Sequence, residues 1–140
     1  MGQFIVKNFI LYPIVFYIFY IFFIGVLLVR SRIKAVSSKQ VSIKFFKTYS
    51  GQELNEQLTV LGRHFDNQFQ IPVLFLFGCF ALYMTDRVTS HSLIFAWLFV
   101  ISRLVHSWIH LTLNNVLHRM IVFIFGFLMT LIVWAFLIIN

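Results

Sequence analysis

The sequence predicts an all-α membrane protein, a four-helix transmembrane bundle, and its composition and apolar stretches carry this prediction. Hydrophobic residues make up 61% of the 140 residues and charged residues 11%, against about 45–50% and about 25% in soluble domains. A soluble domain of this size could not bury so much apolar surface. One membrane-spanning helix needs about 20 mostly apolar residues, so the chain has room for four spans and one long loop.

The whole chain, residues 1–140, is predicted to be one membrane domain. Its spans are predicted at about residues 9–29, 67–85, 91–113 and 120–139. The first, second and fourth contain no charged residue. The third must run through Arg103, because the charge-free stretch 88–102 would form only about 22 Å of helix, which is too short for a hydrocarbon core of about 30 Å.

Residues 30–62 form the one long polar loop, and this loop sets the predicted orientation. Its first half contains six basic residues: Arg30, Arg32, Lys34, Lys39, Lys44 and Lys47. Because basic loops are retained in the cytoplasm, we expect this loop to be cytoplasmic and both termini to lie on the opposite side. A basic segment beside a span meets lipid headgroups, so membrane lipids, and not nucleic acid, are its expected partners.

Polar side chains recur at helical spacing around the second and third spans. Residues three, four and seven positions apart share one face of a helix. One such stripe consists of Arg63, Asp66, Asn67 and Gln70, and the other of Arg103, His106, Ser107, His110 and Asn114. Because the two spans are antiparallel, both stripes lie at the predicted cytoplasmic leaflet, together with Arg30 and Arg119. The sequence therefore predicts one polar site at this level.

Arg103 has two interpretations that the sequence leaves open. An arginine in the middle of a span costs about 2.5–3.5 kcal/mol on insertion scales, so it faces a partner or a wet cavity. Arg103 either pairs with Asp66 or reaches the interface, and then only holds helices together. Alternatively, it lines an anion-binding pocket with Arg63 and Arg119, which would favour a ligand with a carboxylate.

The histidines of the third span also raise the possibility of a metal or haem site. His106 and His110 lie four residues apart, which suits two ligands on one helix face. However, the stripe contains no carboxylate, the chain has no HExxH motif, and Cys79 is its single cysteine. We therefore expect no metal and interpret the histidines as hydrogen-bonding groups of a polar pocket.

The same residues resemble the signatures of the MAPEG superfamily, the membrane-associated proteins in eicosanoid and glutathione metabolism. The run Arg63-x-x-x-Asn67-x-x-Gln70-x-Pro72 is similar to the pattern of the second helix in that family. The run from Arg103 through His106 and His110 to Asn114, followed by Arg119, resembles the third helix and the start of the fourth. The spacing is closest to the uncharacterised bacterial branch, and the resemblance covers nearly the whole chain.

This resemblance implies a homotrimer in the bacterial inner membrane that acts as a glutathione-dependent transferase or peroxidase on lipophilic electrophiles. Glutathione would be the co-substrate, and a lipophilic small molecule the second substrate. The ligand-binding residues would be Arg63, Asn67, Gln70, Arg103, His106, His110 and Asn114. Arg119 or Arg30 would be catalytic, because a cation beside the thiol lowers its pKa and favours the nucleophilic thiolate.

Two departures from the family pattern support an alternative, a non-catalytic membrane lipid-binding or scaffold protein with the same fold. Gln70 stands where the family has a glutamate that pairs with the ammonium group of the ligand. His106 and His110 stand where active members have tyrosines. A small multidrug transporter ranks lower, because the first span has no carboxylate between Lys7 and Arg30.

Overall fold

The computed structural model describes residues 7–51 and 53–139, and this part of the chain is helical with no strand. The helices are α1 (Leu11–Ser37), α2 (Phe45–Thr48), α3 (Glu56–Asp66), α4 (Ile71–Met84), α5 (Ser90–Leu111) and α6 (Val116–Ile139). Four stretches are long and apolar enough to cross a membrane: Lys7–Ser37, Glu56–Met84, Ser90–Leu111 and Val116–Ile139. The predicted fold class, an all-α membrane protein with four spanning helices, is therefore confirmed.

Side-chain caps fix the starts of two helices. The Asn55 side chain accepts a hydrogen bond of 2.8 Å from the backbone N–H of Gln57, which begins α3. A reciprocal pair between Thr89 and Ser92 begins α5. These caps satisfy backbone donors that the first turn of a helix leaves unpaired.

The second span is interrupted in its middle. After α3 ends at Asp66, a 3-10 turn covers Asn67–Phe69, and Gln70 leaves the helical conformation before α4 begins. Pro72 lies in the first turn of α4. Proline cannot donate a hydrogen bond to the carbonyl four residues before it, so the helix is broken where the polar stripe of this span lies.

Contacts between chain segments define the antiparallel arrangement. Lys7 forms an ion pair with Asp86, and the Arg87 side chain donates to the carbonyl of Leu137. The start of α1, the turn between α4 and α5 and the end of α6 therefore meet at one end of the bundle. The end of α1, the start of α3, the end of α5 and the start of α6 lie at the opposite end, which we call the basic end.

Close helix contacts occur at glycines. A Cβ atom on Gly126 of α6 would lie 2.7 Å from the Ser102 hydroxyl oxygen of α5. A Cβ on Gly78 of α4 would lie 3.0 Å from the indole nitrogen of Trp134. That indole nitrogen donates a 3.0 Å hydrogen bond to the carbonyl of Leu74. Small residues permit such close approach in membrane bundles, where apolar burial drives association weakly.

The core of the bundle is aromatic at its centre, and it leaves most other apolar side chains on the outside. Phe75 and Phe99 stack with ring centroids 3.9 Å apart, and Tyr17 lies edge-on to Phe99 at 5.6 Å. Large side chains such as Phe19, which is 70% exposed, and Trp108, which is 69% exposed, point outwards. This arrangement suits a protein whose outer surface contacts lipid.

Candidate functional site

Polar side chains are buried between α1, α3 and α5 toward the basic end of the bundle. We call this set the buried polar cluster; it consists of Tyr17, Tyr20, His64, Gln68, Arg103, His106, Ser107 and His110. Arg103 is 1% exposed and His64 is fully buried. Polar groups at this depth require hydrogen-bond partners, because an unpaired buried group costs free energy.

The first part of the cluster connects α1 to the second span. The Tyr17 hydroxyl donates a 2.6 Å hydrogen bond to the side-chain oxygen of Gln68. The Gln68 side-chain nitrogen donates in turn to the carbonyl of His64 at 2.8 Å. This chain of hydrogen bonds fixes α1 against the segment in which the second span is interrupted.

The second part of the cluster connects α1 to α5. The hydroxyl of Tyr20 is hydrogen-bonded to that of Ser107 and lies 3.2 Å from the Nε2 atom of His64. Ser107 donates to the carbonyl of Arg103 at 2.7 Å. Tyr20 thus joins three elements through one phenol group.

Three histidines pack against one another within the cluster. The ring centroid of His64 lies 6.1 Å from that of His106 and 5.3 Å from that of His110, and His106 and His110 are 5.6 Å apart. Within residues 7–51 and 53–139, no group of three or more His, Cys, Asp and Glu side chains is arranged to hold a metal ion. His64 is hydrogen-bonded through its Nε2 atom, whereas the Nδ1 atoms of His64, His106 and His110 are buried without a partner among the described residues.

Arg103 is a buried cation with unused hydrogen-bond donors. Its guanidinium carbon lies 5.9 Å from the centroid of the Phe123 ring, and its Nε and Nη2 atoms are buried without a hydrogen-bond partner among the described residues. Asp66 is exposed, and the one ion pair in the described part of the chain joins Lys7 to Asp86. The interpretation that Arg103 pairs with Asp66 is therefore wrong.

The stripe predicted on the second span faces outwards. Arg63 and Gln70 are exposed and Asn67 is half-buried, whereas the buried side chains of this segment are His64 and Gln68. The structure therefore does not bring Arg63, Asn67 and Gln70 into one pocket with Arg103, His106 and His110 inside a single chain. Arg63, Asn67 and Gln70 belong to the second span, whereas Arg103, His106 and His110 belong to α5 and pack against the other face of that span, through His64.

Arg119, Asn114 and Arg30 lie around this region at the basic end. Arg119 donates a 2.6 Å hydrogen bond to the side-chain oxygen of Asn114, so Asn114 orients the guanidinium. The Nε atom of Arg119 is buried and has no partner in the described ranges. Arg30 is exposed at the basic end of the first span.

Two cavities open at this end of the molecule. A polar cavity of about 700 Å³ lies between the end of α1, the segment before α3 and the end of α5, and Lys34, Glu56, His110 and Asn114 are among its walls. An apolar groove of about 630 Å³ runs along α1, where Phe22, Phe65 and Phe69 line it and Arg30 and Arg32 lie at one end. Both volumes fall within the range of small-molecule sites, about 300–1,000 Å³.

Further guanidinium and amide groups lie toward this end of the chain, although Arg63, Arg103 and Arg119 line neither cavity. The unpartnered atoms of Arg103 and Arg119 are suited to a carboxylate, which guanidinium groups recognise through paired hydrogen bonds. The outward stripe supplies a further guanidinium and two amides from Arg63, Asn67 and Gln70. It does not supply a carboxylate for the ligand's ammonium group at position 70.

Tyr17, Tyr20 and Gln68 belong to the polar cluster but were not predicted from the sequence. Tyr17 and Tyr20 lie three residues apart in a span rich in phenylalanine, and His64 and Gln68 lie four residues apart one position beyond the predicted stripe. A buried phenol hydroxyl usually has a hydrogen-bond partner. The two tyrosines on one face were thus an available signal for a second polar face.

The chain was also compared with known proteins. The model of the MAPEG family matches residues 10–139, nearly the whole chain. No curated protein and no solved structure matches the chain significantly.

Proposed function

The chain belongs to the MAPEG family, and from this premise we propose that it is a glutathione-dependent transferase or peroxidase acting on lipophilic electrophiles. Family membership supports a membrane protein of the glutathione and eicosanoid metabolism superfamily. The observation that carries the specific proposal is the outward polar stripe Arg63, Asn67 and Gln70 on a membrane-spanning segment. Arg63 and Asn67 match the family's second-helix pattern, Gln70 replaces its glutamate, and Arg63 and Gln70 are exposed.

The outward position of the stripe supports a homotrimer with its sites between subunits. A charged or polar side chain that faces lipid is costly, and such side chains in spans almost always face protein or water. A neighbouring copy of this chain would cover Arg63 and Gln70 and enclose a ligand against them. In this arrangement each subunit supplies one wall of a shared site.

We assign the ligand-binding residues by where they lie. Arg63, Asn67 and Gln70 bind the tripeptide directly. Arg103, His106, His110 and Asn114 form the inner polar wall, since Arg103 and His106 are buried behind the helix that presents the stripe.

We assign the thiol-activating role to Arg119, with Arg30 as the second candidate. A guanidinium beside the glutathione thiol lowers the thiol pKa and stabilises the thiolate, which is the nucleophile. Arg119 is held by Asn114 at 2.6 Å, whereas Arg30 is exposed. A fixed cation loses less free energy in adopting the reactive geometry.

The apolar groove beside α1 supports a lipophilic second substrate. Phe22, Phe65 and Phe69 line it, and Arg30 lies at its end. An apolar molecule dissolved in the bilayer could enter from the side and present its electrophilic atom at the basic end. At the predicted cytoplasmic leaflet it would meet a water-soluble thiol.

The proposal is tested by thermal unfolding of the detergent-purified protein with millimolar glutathione. A bound ligand stabilises the folded state by mass action, so we expect the melting temperature to rise. Arg63→Ala and Arg119→Ala should abolish the rise, and Gln70→Glu should enlarge it. Lys39→Ala, which removes another exposed cation at the same end, is the matched control; absence of any rise in the wild-type protein would refute the proposal.

A non-catalytic lipid-binding protein is the second candidate function. It is favoured by His106 and His110, which pack against His64 inside the chain instead of facing the outward stripe. The test is conjugation of glutathione to an aryl chloride electrophile. Turnover would reject this candidate, whereas saturable binding of a fatty acid with no turnover would favour it over the enzyme.

A further inference from the structure

Residues 38–51, which follow the end of α1, fold back onto the basic end of the bundle. Val41 and Phe45 are 3% and 5% exposed. The other buried members of their apolar cluster are Leu28, Ala35 and Leu58. The backbone N–H groups of residues 40 and 41 both donate to the Ala35 carbonyl, at 3.0 and 3.3 Å. The segment is therefore a packed part of the fold.

The outer surface of this segment combines cations with large apolar side chains. Lys39, Lys44 and Lys47 are exposed. Ile43, next to Lys44, is 74% exposed, and Tyr49, which follows Lys47, is 56% exposed. A surface of this composition is typical of segments that lie in the membrane interface, with apolar side chains among the acyl chains and lysines at the headgroups.

Arg32 is held beside the segment by two aromatic rings. Its guanidinium carbon lies 5.3 Å from the centroid of Phe46 and 5.9 Å from that of Tyr49. The two rings meet edge to face at 6.1 Å. Cation–π contacts of this kind fix the guanidinium, whose planar array of donors matches the oxygens of a phosphate.

The cations of this surface outnumber the nearby acidic residues, Glu53 and Glu56. The sequence contains no Asp or Glu before Glu53. Within the described residues, the one ion pair joins Lys7 and Asp86 at the opposite end of the bundle. The positive charge of the segment is therefore available to an external anion.

We propose that residues 38–51, together with Arg32, form a binding surface for the headgroups of anionic phospholipids in the surrounding bilayer. The segment lies at the membrane boundary, because it follows the span that ends at Ser37 and precedes the one that begins at Glu56. Lipid phosphates pair with Lys39, Lys44 and Lys47, and Ile43 inserts among the acyl chains.

The first test counts the lipids that the full-length protein retains in detergent. The protein is mixed with phosphatidylglycerol or with phosphatidylcholine of the same acyl chains, and native mass spectrometry measures the bound molecules. We expect preferential retention of phosphatidylglycerol, and roughly a hundredfold weaker retention in the K39Q/K44Q/K47Q variant, since each surface cation contributes separately. The K39R/K44R/K47R variant keeps the charge and should retain the lipid.

Two results of this test would overturn the proposal. Equal retention of the two lipids would remove the preference for negative charge. Retention of phosphatidylglycerol that is unchanged in the glutamine variant would place the binding elsewhere on the protein.

The second test measures the depth of Ile43. Cys79 is the single cysteine, so a C79S/I43C variant carries one spin label, and C79S/Q57C provides an exposed reference at the same end. In nanodiscs that contain phosphatidylglycerol, we expect the label at position 43 to be protected from an aqueous nickel chelate and the label at position 57 to be accessible. Equal accessibility would show that the segment faces water, and would overturn the proposal in favour of a soluble acidic partner.

Discussion

At the scale of the residue, Arg103 carries a positive charge in the interior with no carboxylate beside it in the described chain. Buried charges are costly, and apolar residues of similar volume often replace them with little loss or a gain in stability. A residue that lowers stability in this way is consistent with a role in binding. We therefore expect substitution of Arg103 to affect the stability of the free protein and its ligand binding differently.

Arg103→Met tests that separation. We expect the melting temperature of the free protein to change little or to rise, because the buried charge is removed and the volume is kept. We expect stabilisation by glutathione to decrease, measured in the same thermal assay. A large fall in the melting temperature without ligand would instead assign Arg103 a purely structural role.

The bond from Tyr17 to Gln68 allows a second prediction at this scale. Tyr17→Phe leaves the buried oxygen of Gln68 without its 2.6 Å donor, so we expect the free energy of unfolding to fall by about 1–3 kcal/mol. Unfolding in increasing concentrations of SDS measures this change. Tyr12→Phe is the control, because the Tyr12 side chain is 61% exposed.

A double variant distinguishes loss of the hydrogen bond from loss of packing. Tyr17→Phe combined with Gln68→Leu removes both partners, so the combined cost should be smaller than the sum of the two single costs. Fully additive costs would contradict the interpretation that Tyr17 serves mainly as a hydrogen-bond donor to Gln68.

At the scale of the element, α5 and α6 approach each other closely at Gly126. We expect Gly126→Ala to destabilise the protein by about 1–3 kcal/mol, because the added Cβ would lie 2.7 Å from the Ser102 hydroxyl. Gly62→Ala in α3 is the matched control. No atom lies within 4 Å of its added Cβ, so we expect no loss of stability there and a gain of about 0.5–1 kcal/mol from helix propensity.

Both substitutions are measured by SDS unfolding of the purified protein. Equal effects at the two positions would contradict a contact-specific role of Gly126. A loss of stability at Gly126 alone would support a close packing contact between α5 and α6 at this position.

The second span shows how far an element could be predicted from its sequence. The charge-free stretch 67–85 marked its apolar half, whereas the helical segment begins at Glu56 and includes Arg63. A span predicted from a charge-free stretch excludes any end of the helix that carries ionisable residues at the membrane boundary. Pro72 lacks a backbone N–H, and the interruption at Asn67–Phe69 lies just before it.

At the scale of the whole molecule, nothing within the described part of a single chain covers the exposed residues of the outward polar stripe, Arg63 and Gln70. Arg63 and Gln70 are exposed on a spanning segment, and such groups in lipid are costly. We expect the purified protein to have three times the mass of one chain in native mass spectrometry. Arg63→Leu combined with Gln70→Leu should alter subunit association, and a strictly monomeric wild-type protein would contradict the shared-site arrangement.

The sequence by itself determined the fold class, because 61% apolar residues leave a chain of this length no alternative to the membrane. It also determined that the scarce polar residues gather at one level, since spacing and chain direction follow from helical geometry. It could not determine which side of the second span faces the interior. Arg63 and His64 are neighbours in sequence, and only packing against α1 and α5 decided that His64 is buried with Tyr20 and Arg103 while Arg63 faces outwards. The residues predicted to form one pocket therefore form two separate sets, an inner cluster and an outer stripe. The reason is that side chains one position apart on a helix point about 100° apart.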